Sequence, residues 1–198
     1  MRARFGHRSR LGAIALTVVL TGCENSAAPE KASAVPDSAA SASAASGNAF
    51  VHSAEGDLSG YYMPVSEVAI GPLSLDHVFL GQAFEFEAWE DGEVNQTFAP
   101  VMLQFEDVSS PMVATELGEV HSVSVRVLPT TYSVTEDAIR FAGTSDELGA
   151  VSFNARLDQE ALATARRNLG DEGTVLSGTL TAGGRTFRDV RFRWYGGD

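Results

Sequence analysis

Cysteine occurs once in this 198-residue chain, at Cys23, so no intrachain disulfide framework can form and no Cys/His array with zinc spacing exists. Lysine also occurs once, at Lys31, and from Ala32 to Val125 there is neither Lys nor Arg. Fourteen Asp and Glu residues fall between Asp37 and Glu119, and the net charge is −12. Without clustered cations to neutralise phosphates, general nucleic-acid binding is excluded. No G-x-S-x-G elbow is present, and Gly56-Asp57-Leu58-Ser59-Gly60 misses its spacing, which argues against a serine hydrolase of that kind. A phosphate-cradling glycine loop is missing too. The N-terminal apolar run, Leu11 to Leu20, is ten mostly apolar residues. A spanning helix needs roughly 20, so this run is too short to cross a bilayer.

What the N-terminus does have is an address. Arg2, Arg4, Arg8 and Arg10 form a cationic leader without an acidic residue, and the short apolar run follows them. That pattern is a secretory signal, and it is set aside from fold reasoning. Next comes Leu20-Thr21-Gly22-Cys23: an aliphatic residue, two small residues and the sole Cys. This segment resembles the lipobox of bacterial lipoproteins. The resemblance implies cleavage by signal peptidase II between Gly22 and Cys23, with a diacylglycerol thioether on the Cys23 sulfur and acylation of its freed amine. Each buried CH₂ of such chains contributes about 0.8 kcal/mol, so two or three chains hold a protein firmly on a membrane where one is marginal. Glu24 stands where Asp in enterobacteria-like lipoproteins tends to retain the protein at the inner membrane. The implied location is the outer membrane, facing the periplasm.

Three segments follow: a signal peptide at 1–22, a lipidated Cys with a flexible tether at 23–48, and one globular domain at 49–198. From Ser26 to Asn48, 15 of 23 residues are Ala or Ser, and Pro29 and Pro36 interrupt any helix. Such a stretch buries too little apolar surface to offset its ordering entropy. As a flexible coil it reaches about 5–6 Å times √23, near 26 Å. The remaining 150 or so residues suffice for one core, since a chain of that size buries about 68–70% of its unfolded surface. Losing the four leader arginines takes the net charge from −12 to −16. All nine arginines of the mature chain lie between Arg126 and Arg193. A molecule this acidic repels anionic lipid and polyanions and favours cationic partners or divalent cations.

Period-2 patterning dominates the domain and predicts an antiparallel β-sandwich or partly open barrel with one α-helix. Phe84 to Glu90 reads as a strand, turning at Asp91-Gly92 and returning through Glu93 to Phe98, because Asp-Gly suits a type I′ turn. Further strands are predicted over Val101 to Val108, Val120 to Leu128, Ala138 to Ala142 and Ala150 to Leu157. A helix begins after Asp158 as N-cap and ends before Gly170, with Arg166 and Arg167 at its negative end. Thr174 to Ala182 and Arg185 to Tyr195 make a last hairpin about Gly183-Gly184. Phe187 breaks the parity of Val190, Phe192 and Trp194, which predicts a bulge near Arg188-Asp189.

No catalytic set emerges from these elements, and no cofactor is implied. On the predicted strand Glu85 and Glu87 share a face with Trp89, and Tyr61-Tyr62-Met63 opens the domain. Aromatics beside carboxylates are common interface anchors, so Tyr61, Tyr62, Glu85, Glu87 and Trp89 are the candidate partner-binding residues. Glu90, Asp91, Glu93 and Asn95 crowd a predicted turn with hard oxygen donors suited to Ca²⁺, although their spacing is not that of an EF-hand. Asp76-His77, and His52 with Glu55, are too sparse for a transition metal. The composite expectation is a lipid-anchored envelope protein that binds a cationic protein in the periplasm, as an inhibitor or immunity factor. Two rival classes are a small-ligand or Ca²⁺-binding module, and an envelope glycan-acting enzyme using Glu85, Glu87 and the neighbouring Glu106.

Overall fold

The computed structural model describes residues 49–116 and 118–197; the leader, Cys23 and the Ala/Ser-rich tether lie outside the described residues. Chain order runs β1 (Phe50–His52), β2 (Gly60–Pro64), β3 (Ala69–Ile70), β4 (Leu73–Leu80), α1 (Ala83–Glu90), β5 (Val101–Asp107), β6 (Met112–Thr115) and β7 (Gly118–His121). It continues through β8 (Ser124–Val127), β9 (Pro129–Val134), β10 (Ala138–Ser145), β11 (Gly149–Leu157), α2 (Gln159–Arg167), β12 (Leu176–Ala182) and β13 (Arg185–Tyr195).

Eleven strands form one sheet, ordered β1-β9-β10-β11-β12-β13-β2-β4-β5-β8, with β3 paired to β4; β6 and β7 make a separate ribbon. Apart from the parallel β1–β9 pair, every ladder is antiparallel. Strands β8 and β9 belong to opposite ends of this order, yet only Leu128 separates them in the chain. The sheet is therefore curled until a single bent segment bridges its ends, giving a partly open barrel. Pro129 starts β9 and cannot donate to a ladder, which suits the bend. Gly143 faces it across a register shift, where a Cβ would come within 2.4 Å of the Leu128 oxygen. Only glycine allows that approach.

The interior follows the alternation. Val151, Phe153, Ala155 and Leu157 on β11 are buried, as are Val190 and Phe192 on β13, and Phe105, Phe153 and Phe192 are among the largest fully buried side chains. Burying each such side chain contributes about 1.5–3 kcal/mol. The last hairpin turns at Gly183 and Gly184, both at positive φ (57° and 69°). A bulge lies where parity predicted it, with Asp189 at φ 55° and a register shift between Gly178 and Leu180. Asp158 caps α2, accepting from the Ala161 amide at 3.0 Å, and Leu162 and Ala165 are the buried face.

The predicted hairpin from Phe84 to Phe98 is the chief correction: Ala83–Glu90 is a helix, so the domain has two helices. Leu80 pairs directly with Val101, and Gly81 N–H bonds the Pro100 oxygen at 2.8 Å, so β4 and β5 complete their ladder without residues 82–99. Left out of the sheet, the segment buries Phe86 and Trp89, three apart and on one helical face. The Glu85 carboxylate accepts the Gln82 amide at 2.7 Å and closes the first turn. Gly92, at φ 97°, ends the helix; the same residue type serves a helix stop or a hairpin turn. A smaller correction concerns Val120 to Leu128, which is broken into β7 and β8, with Val123 exposed while Val125 and Val127 are buried.

Candidate functional site: an aromatic row beside a carboxylate–histidine recess

Alternation on β2 sends successive tyrosines to opposite faces. Tyr62 points into the core, 0% exposed, and its hydroxyl donates to the Leu58 oxygen at 2.7 Å. Tyr61 points outward, and its cross-strand partners are Tyr195 on β13 and Phe79 on β4. The outer face thus carries a row of rings: Tyr195 to Tyr61 at 6.3 Å, Tyr61 to Phe79 at 5.4 Å, and Phe79 to Phe98 at 5.5 Å. Tyr195 is 45% exposed, while Tyr61, Phe79 and Phe98 are half-buried. Neighbouring β strands are about 4.7–4.9 Å apart, so side chains in adjacent strands meet at ring-contact distance.

Beside the row, the register of β4 against β5 shifts between Leu75 and His77. This bulge puts Asp76 and His77 together toward the outer surface, instead of one in and one out. Their side chains meet at 2.8 Å, and since a carboxylate only accepts, the His77 Nδ1 carries the proton. The His77 ring also stands edge-on to Tyr61 at 4.9 Å. Asp76, Glu106 on β5 and His121 at the end of β7 line one recess, a hollow of about 290 Å³ that Glu67 and Arg193 also line, while His77 is 8% exposed and outside that lining. The His121 Nδ1 is fixed on the Ser110 oxygen at 3.1 Å. Burial, then the neighbouring Asp76 charge, raise Glu106 above the usual carboxylate range, against the opposing pull of His121 and His77. A partly buried carboxylate next to the aromatic row suits a cation, because carboxylate charge and ring faces both attract it.

The anticipated partner-binding set is not one surface. Tyr61 lies in the aromatic row, whereas Tyr62 and Trp89 (6% exposed) are core residues. Trp89 packs edge-on to Phe50 at 6.0 Å. Glu85 is spent on the helix cap, and Glu87, two residues on and about 200° round the helix, is exposed elsewhere. The carboxylate pair on a shared strand face therefore does not exist. Nor do the turn residues assemble around a cation: Glu90 accepts the Tyr132 hydroxyl at 3.1 Å, and Asn95 accepts the amides of Thr97 and Phe98. Among the described residues no group of three or more His, Cys, Asp or Glu is placed to hold a metal ion. His52 stacks on Phe86 at 4.0 Å, and burial holds its pKa below the ordinary value despite Glu90, Glu136 and Glu87 nearby.

Sequence reasoning passed over Phe79, Phe98 and Tyr195 as site residues, and with them the union of Asp76, Glu106 and His121. Their common signal is the strand register, which hydropathy does not encode. Comparison with protein-family models, curated proteins and solved structures finds no match to this chain.

Proposed function

We propose that this chain is a lipid-anchored envelope protein that acts by binding, its β domain capturing a cationic partner protein in the periplasm. In this reading Cys23 carries the lipid and the 23–48 segment is the leash. The work of an inhibitor or immunity factor against a basic cell-wall hydrolase fits such a device. One observation carries the binding site: His77, edge-on to Tyr61 and bonded to Asp76, joins the row Tyr195–Tyr61–Phe79–Phe98 to the recess that Asp76 and Glu106 line. A Lys or Arg from a partner would meet ring faces and carboxylates together, and the acidic charge of −16 would speed its approach. The test is affinity capture from an envelope extract with the full lipidated protein, Tyr61→Ala, Glu106→Gln and Glu87→Gln. A basic partner is retained by the parent and by Glu87→Gln, and released at about 1 M salt, where the Debye length is about 3 Å. It is lost from Tyr61→Ala and Glu106→Gln. Retention by all three variants removes the basis of the reading. Mass spectrometry of the native material is expected to show a chain starting at a diacylated Cys23.

A second reading, hydrolysis of an envelope glycan, has one observation in its favour. Glu106 and Asp76 line one recess, and burial with the Asp76 charge raises Glu106 above the usual carboxylate range, as a general acid requires. Release of reducing ends from cell-wall glycan, abolished in Glu106→Gln and Asp76→Asn, would establish it in place of the first.

A further inference from the structure

The nine arginines of the mature chain fall into two groups. Arg126, Arg166, Arg167, Arg185 and Arg193 each hold a carboxylate, an amide, a hydroxyl or a backbone oxygen. The guanidinium groups of Arg140, Arg156, Arg188 and Arg191 make no hydrogen bond or ion pair among the described residues. A chain with 26 acidic residues had partners enough for them. Two of them, Arg140 on β10 and Arg156 on β11, are on adjacent strands, and the other two stand on β13.

Register places them. Ser133, Arg140, Asn154 and Thr179 lie directly opposite one another across β9, β10, β11 and β12, and Ala138, Arg156, Ser177 and Arg191 form the adjacent row. Arg140 and Arg156 are thus diagonal neighbours, within about 7–8 Å at the backbone. Between them the surface is hollowed into a trough of about 590 Å³, lined by Arg140, Asn154, Arg156, Ser177 and Thr179, with the carboxylates of Asp137 and Asp189 in the same lining. The bulge shapes it. Asp189 is the only described non-glycine residue at positive φ, and Gly178 admits no Cβ, which would sit 2.3 Å from the Asn154 oxygen. Strained backbone of this kind persists only where the surroundings fix it, and it concentrates at ligand sites.

We infer that this trough binds a short anionic sugar, its oxyanion held between Arg140 and Arg156 and its hydroxyls by Asn154, Ser177 and Thr179. The guanidinium fork matches carboxylate and phosphate alike, and both are the same chemistry to this site. The lining contains no aromatic ring, so nothing selects a stacked base or an apolar tail. Length is limited by the rest of the molecule. Asp137 and Asp189 balance the two arginines of the lining, so the anion is held by direct contact with the guanidinium pair, and a long polyanion gains nothing along the rest of an acidic chain.

Titration of the full-length protein followed by amide NMR tests the site, using tetragalacturonate for the carboxylate arm, glucose 6-phosphate for the phosphate arm, and neutral maltotetraose. One or both anionic probes shift amides of β9 to β12 at up to about 10 mM, and the arm that binds names the anion. The double variant Arg140→Gln/Arg156→Gln weakens that binding by about tenfold or more. Asn154→Ala, which keeps the charge, weakens the sugar but not the sugar-free anion of the same kind, acetate for the carboxylate arm or inorganic phosphate for the phosphate arm. The inference is overturned if neither anionic probe shifts those amides, if maltotetraose binds as well, or if the double variant binds unchanged while still folded. Loss of the aromatic-row partner would leave this result untouched, since the two faces share no residue.

Discussion

Adjacent residues of identical type should behave in opposite ways, because β2 sends them to opposite sides. Tyr62→Ala deletes a fully buried ring and the hydroxyl that donates to Leu58. Truncating a buried aromatic costs about 3–5 kcal/mol. That is a large share of the total for a domain whose stability falls in the range of about 5–15 kcal/mol. With roughly 2–4 °C lost per kcal/mol at this size, the melting temperature drops by about 6–20 °C. Tyr61→Ala removes a half-buried ring that touches Phe79, His77 and Tyr195, and costs about 1–2 kcal/mol. The milder variant Tyr62→Phe leaves the Leu58 oxygen unpaired for about 1–3 kcal/mol while keeping the ring. Thermal unfolding by circular dichroism gives the three stabilities, and capture of the partner gives the three affinities. Tyr62→Phe binds as the parent does, and Tyr61→Ala folds but does not bind. Tyr61→Ala melting as low as Tyr62→Ala, or Tyr62→Phe staying folded and failing to bind, would contradict this assignment of the two faces.

Three more outcomes follow from single contacts. His52 has a folded pKa below its ordinary 6.5, so the unfolded chain takes up its proton first; stability is full above that value and declines as pH falls toward the folded one, and His52→Gln should flatten the slope seen in melting curves between about pH 7.5 and 5.5. Glu106 runs the other way: its folded pKa is raised, so the native state gains stability as pH falls through that value, and Glu106→Gln should melt higher than the parent at pH 7 and no higher at pH 4 while losing the partner. Arg166 joins α2 to the 57–60 segment through Asp57 at 3.0 Å and the Ser59 oxygen at 3.0 Å, and lies over the Trp194 ring at 5.2 Å. Arg166→Ala should cost about 1–3 kcal/mol by chemical denaturation, and Lys should recover less than half, since one ammonium cannot hold two partners and cover a ring.

Local rules carried most of the sheet. Alternating Val151, Phe153, Ala155 and Leu157, the Gly183-Gly184 turn, the Asp158 cap and the bulge near Asp189 all stand where propensity and parity place them, because each is decided within a few residues. Residues 84–90 failed for the opposite reason. Their alternation is that of a strand, but a strand needs an edge, and β4 already pairs with β5 from Leu80 to Val101. The site was half legible. Tyr61 was readable as an anchor, whereas its partners Phe79 and Tyr195 are 18 and 134 residues away in sequence and adjacent only by register. Asp76 reaches the surface beside His77 through a bulge that no turn residue announces. The aromatic row and the arginine trough both arise from cross-strand neighbours, which composition cannot order.

A photoreactive amino acid placed at position 61 of the full-length protein in living envelopes would probe the binding face without extraction. Irradiation is predicted to yield an adduct with a basic envelope protein from position 61 and none from position 87. No adduct at 61, or the same adduct from both positions, would contradict the assignment of this face.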